Sequence, residues 1–81
     1  MTREQKELLY NIAEWHSKDF YNRMVDRWTD DNYRIDTECR KTINRLESEY
    51  VEKYGPLPEW KYIDNVWDAM RELKKELSEE Q

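Results

Sequence analysis

Glycine is nearly missing from this chain, with one in 81 residues, beside two prolines, one cysteine and one histidine. A lone glycine excludes the glycine-rich loops with which nucleotide enzymes cradle phosphate. A lone cysteine excludes an internal disulfide and fits a reducing cytosol. One His and one Cys fall short of the about four ligands that a zinc site needs. No apolar run approaches the roughly 20 residues of a membrane span. The opening Met1-Thr2-Arg3-Glu4-Gln5-Lys6-Glu7 also lacks the apolar stretch of a signal peptide. Together these absences predict a cytoplasmic protein with no membrane partner, no metal and no cofactor.

What is present is charge and aromatic rings. Charged residues make up 41% of the chain and the mean hydropathy is -1.30, values that lean towards disorder. Against that, the net charge is only -5 and aromatics reach 14%. Disordered chains combine high net charge with few aromatics, so this one is read as folded. The acidic surplus grows along the chain, from net 0 over residues 1–28 to -2 over 29–55 and -3 over 56–81. A sequence pI near 4.9 argues against direct binding of nucleic acid, which needs clustered Lys and Arg. A basic protein surface is the better complement.

Both prolines and the glycine fall in Tyr54-Gly55-Pro56-Leu57-Pro58. Gly55 takes positive φ at little cost, Pro56 cannot continue a helix, and Pro58 suits the first turn of another. The chain therefore reads as helix up to 54 and helix again from 58. Thr2 and Gln5 have capping-box spacing. Leu9, Ile12, Ala13, His16, Phe20 and Met24 then share one helical face. Leu8 and Trp15 widen it on one side, and Tyr10, Tyr21, Val25 and Trp28 on the other. That arc is broader than the ~100° of a surface helix, so helix 1 lies between two neighbours or meets another chain. It thus offers a surface for homo-oligomers.

Thr29-Asp30-Asp31-Asn32 favours a tight turn, because short polar side chains compete with the helical backbone and make good N-caps. The pattern also admits one helix running from 3 to 54. Helix 2 carries a narrower stripe of Ile35, Cys39, Ile43, Leu46, Tyr50 and Tyr54, flanked by the i,i+4 pairs Asp36/Arg40 and Glu49/Lys53. Helix 3 presents Trp60, Ile63, Val66, Trp67, Met70, Leu73 and Leu77. The expected architecture is all-α: a single domain over 1–81, an antiparallel up-down-up three-helix bundle with helices at about 3–28, 31–54 and 58–78 and a frayed acidic end at 79–81.

No side-chain set announces a reaction. His16, between Ile12 and Phe20, reads as a boundary residue with one nitrogen partnered. Cys39 reads as a small buried hydrophobe. Asp30, Asn32, Asp36 and Glu38 suggest a calcium loop, but Arg34 and Ile35 occupy the positions that need an oxygen ligand and a glycine. The aromatics are the anomaly. Four Trp, six Tyr and one Phe are many for three thin helices, and surplus rings serve as interface anchors. Two groups follow from the topology: Trp28, Asp30, Asp31 and Tyr33 at the first turn, and Tyr10, Tyr54, Trp60 and Tyr62 near Gly55.

Leu57-Pro58-Glu59-Trp60-Lys61-Tyr62-Ile63 resembles the C-terminal Pro…Trp-Lys-Phe-Ile of the small enterobacterial Hha/YmoA regulators, which bind a nucleoid protein. The likeness covers under a quarter of the chain, and a long helix follows where that family stops, so no function is carried over. In size and acidity the chain resembles the small inhibitors made by phages and mobile elements. The expected function is non-catalytic: binding, and thereby inhibiting or regulating, a larger protein through that protein's basic surface. An oligomer that stacks a nucleotide or other small ligand on Tyr or Trp is the alternative, as is a structural subunit of a larger assembly. An enzyme built on Cys39 or His16 lacks an oxyanion hole.

Overall fold

The computed structural model describes residues 1–58 and 63–79. Three helices account for most of them: α1 Arg3–Arg23, α2 Asp30–Tyr54 and α3 Ile63–Glu79. The molecule is elongated, 41 × 25 × 22 Å. As expected, it is an all-α three-helix bundle. α3 closes at Glu79, and residues 80 and 81 of the frayed end expected at 79–81 lie outside the described residues.

α1 is the central element. It packs along both α2 and α3, whereas α2 and α3 scarcely touch among the described residues. Leu9, Ile12 and Ala13 of its broad apolar arc are therefore spent inside the protomer, whereas Tyr21, on the same arc, is exposed. Leu9, Ile12, Tyr50 and Leu73 form the buried cluster, with Leu8, Tyr10, Leu46, Tyr54 and Leu57 packed against it. Burying a Leu or Ile stabilises by about 1.5–3 kcal/mol, so this cluster is the main favourable term holding the helices together. It lies where the start of α1 meets the end of α2, tied by Gln5 Nε2 donating to Tyr50 Oη at 2.9 Å.

One feature of the topology differs from the up-down-up expectation. Trp67 lies against Ser17 and Phe20, whereas Leu73, further along α3, joins Leu9. α3 thus runs antiparallel to α1, in the same direction as α2. The tight connection assumed at Gly55 is the reason for the wrong direction. Gly55 itself has φ 96° and ψ -159°, a region open essentially to glycine, and ends α2 there. Pro58 lies outside any helix, and residues 59–62, where the expected start of helix 3 falls, are outside the described residues.

α1 also closes at Arg23, short of the expected Trp28. Met24, Val25 and Trp28 continue the apolar count but are exposed, at 61%, 41% and 42%, so no core holds them in a helix. α2 starts at Asp30 under a full capping box: Thr29 accepts from the Asn32 backbone while Asn32 Oδ1 accepts from Thr29 N–H. This settles the choice between turn and continuous helix in favour of the turn. Within α2 the buried stripe holds Asp36 where Ile35 was expected; Ile35 is exposed.

Candidate functional site

The bundle has two unlike ends. Around Leu9 and Tyr50 it is apolar, whereas the C-terminal half of α1 meets the start of α2 through polar groups. Asn22 Nδ2 donates to the Asn32 carbonyl and Asn32 Nδ2 donates to Asn22 Oδ1, both at 2.9 Å. Arg23 Nη2 reaches Asp36 Oδ1 at 3.1 Å and its Nε reaches Asp19 Oδ2 at 3.2 Å. Arg40 Nε takes the other oxygen of Asp36 at 3.1 Å. One buried carboxylate therefore holds two guanidinium groups, one from each helix.

Arg23, Asp36 and Arg40 line a cleft of about 500 Å³ together with Trp28 and Tyr33. The Trp28 and Tyr33 rings meet edge to face, centroids 5.8 Å apart at 79°. Both remain open to solvent, Tyr33 at 65%. Asp30 and Asp31 sit beside them in the first turn of α2, where negative charge complements the helix dipole. Asp31 pairs with Arg34 at 3.6 Å. Of the first group expected from sequence, the turn between α1 and α2 brings Trp28 and Tyr33 into contact, while Asp30 and Asp31 are outside the cleft lining.

Sequence reasoning missed the arginines. Asp36 and Arg40 read as an outer i,i+4 pair, and Arg23 as one basic residue among several. Their convergence depends on the antiparallel register of α1 and α2. The signal was Arg23 seven residues after His16, which places it on the face turned towards α2.

The second expected group fares differently. Tyr10 and Tyr54 are half-buried against the Leu9 cluster, and Tyr54 packs on the Tyr50 ring at 5.3 Å. Trp60 and Tyr62 lie outside the described residues. Elsewhere Trp67 packs edge to face on Phe20 at 5.0 Å and donates its indole N–H to Ser17 Oγ at 3.1 Å. Trp15 lies under the Lys18 ammonium at 4.4 Å.

His16 turns its Nε2 to Glu47 Oε2 at 3.3 Å, with both side chains about a quarter exposed. Burial pushes the Cys39 thiol up, and Asp19 and Asp36 push the same way, so the nucleophilic thiolate is disfavoured. Among the described residues no three His, Cys, Asp or Glu side chains gather as metal ligands would, and no helix is long and apolar enough to cross a membrane.

Asp19 and Asp36 titrate as a pair. Asp19 Oδ1 is buried with no donor to satisfy it among the described residues. Burial first, then hydrogen bonding to Asp36, raises Asp19 above its ordinary value of 3.8. For Asp36, burial pushes up, but the hydrogen bond from Asp19 and the charges of Arg40 and Arg23 outweigh it and hold the group below 3.8. A raised acid keeps a proton that the unfolded chain has released, so Asp19 costs stability as pH climbs above 3.8 through its folded pKa. Asp36 contributes stability above 3.8 that is lost as pH falls through its own lowered pKa. Asp19→Asn removes the first effect while its side-chain oxygen still accepts from Arg23. Thermal unfolding across pH should give the variant the higher Tm at neutral pH, with the advantage shrinking towards pH 3.8. An advantage that grows on acidification would contradict the pairing.

Comparison with protein families, with curated proteins and with solved structures finds no match to this chain.

Proposed function

We propose that this chain is a non-catalytic cytoplasmic binding protein that docks on a basic surface of a larger protein and inhibits or regulates it by occupying that surface. The observation that carries the reading is the Trp28–Tyr33 pair, left in solvent at a capped turn while the apolar core lies at the other end of the bundle. Trp and Tyr dominate interface hot spots because they bury large area at small entropic cost. Asp30 and Asp31, in the first turn of α2 beside this pair, supply negative charge that speeds encounter with a basic partner. The net charge of -5 acts in the same sense at longer range. The proposal resembles the strategy of small phage and mobile-element inhibitors.

The immobilised protein is expected to retain a specific protein from host lysate at physiological salt. Trp28→Ala should weaken that complex at least about thirtyfold, as loss of a ~2 kcal/mol anchor does. Asp30→Asn with Asp31→Asn should instead slow association and flatten its salt dependence. The exposed Val51→Ala, on the far half of α2, serves as control. If the folded protein retains nothing, or if the Trp28 variant retains as much as the parent, the reading is wrong.

A further inference from the structure

The cleft at the α1–α2 turn has donors that the fold itself does not use. Arg23 spends Nε on Asp19 and Nη2 on Asp36, and Arg40 spends Nε on Asp36. Each guanidinium carries five N–H donors, and the Arg23 and Arg40 side chains remain 47% and 61% exposed. The two guanidinium groups are nonetheless held in place by Asp36, so a ligand would not bear the whole cost of ordering them. Of the five lining side chains two are cationic and one is anionic, and Asp19, paired with Arg23 from outside the lining, brings the cluster to neutrality within a chain of net charge -5. The remaining two are Trp28 and Tyr33, whose exposed rings offer a stacking surface. A volume near 500 Å³ is in the range of small-ligand pockets.

We infer that this cleft binds a small anion carried on a flat ring: a nucleoside monophosphate or an aromatic carboxylate. The fork of Arg donors matches phosphate and carboxylate geometry alike, and the Trp28–Tyr33 pair takes the ring. The site does not depend on docking to a larger protein, and it can be tested on the isolated chain.

The experiment is a titration of the labelled protein followed by NMR, reading the Trp28 indole N–H and the Arg40 Nε–H. The probes are AMP, phenylacetate, adenosine and inorganic phosphate. AMP or phenylacetate should move both signals with a Kd below about 1 mM. Which of the two binds tells phosphate from carboxylate. Adenosine and inorganic phosphate, each carrying half of the recognised chemistry, should bind at least about tenfold more weakly. Arg40→Ala and Tyr33→Ala, both at exposed positions, should each weaken binding at least about tenfold with the helical circular dichroism unchanged. Silence from both AMP and phenylacetate would overturn the inference. So would binding that survives Arg40→Ala undiminished.

Discussion

Ile12→Ala should remove most of the protein's stability at 25 °C. Ile12 is fully buried and, with Leu9, stands at the meeting point of all three helices. Truncating a buried Ile to Ala costs about 2–5 kcal/mol, through lost transfer energy and the cavity left behind. A single core in a chain this short supplies only about 3–5 kcal/mol of net stability. The substitution therefore removes most of what holds the fold. Alanine is the better helix former, so local propensity would favour the variant, and its loss can come only from packing. In urea the midpoint should drop by about 2 M or more, given a slope of ~1 kcal/mol per molar for a small domain. Val51→Ala, at an exposed position, should stay within about 0.5 kcal/mol of the parent. An unchanged midpoint for Ile12→Ala would mean that α1 is not flanked on two sides.

That central role was legible in the residues. The arc from Leu8 to Trp15 is too wide for one neighbour, and the structure gives α1 two. The break at Gly55 was equally plain, because only one residue type suits its backbone. The periodicity rule failed where apolar residues serve the surface. Met24, Val25 and Trp28 keep the helical count yet face solvent, so counting alone carried helix 1 too far. The same rule picked Ile35 over Asp36, because burial of a carboxylate depends on an arginine from another helix. Direction is a further kind of information. Residues 55–62 are compatible with a tight reversal or a return along α1, and only the partners of Trp67 and Leu73 decide between them. The aromatic pair of the candidate site was visible in sequence, whereas its guanidinium walls were not, since they come from two helices in register.

The turn between α1 and α2 rests on Asn22, and Asn22→Ala should destabilise the protein by about 2 kcal/mol, the cost of orphaning buried hydrogen-bonding groups. Asn22 is 8% exposed. Its loss leaves the Asn32 Nδ2 without its acceptor and the Asn32 carbonyl with only the N–H bond of its own helix. Asn32 cannot rotate to compensate, because its Oδ1 already accepts from the Thr29 backbone at 3.0 Å and the Thr29 hydroxyl at 2.7 Å. The effect would be set against local propensity, since Ala favours helix over Asn. Helical content by circular dichroism should therefore hold while the urea midpoint falls, which separates loss of the tether from loss of the helix. Thr29→Ala removes the other half of the arrangement and should cost about 1 kcal/mol, typical of a lost N-cap. The two sites share Asn32, so the double variant should lose less than the two single losses combined. Strict additivity would show instead that the amide pair and the cap act independently, and that the turn is not one cooperative unit.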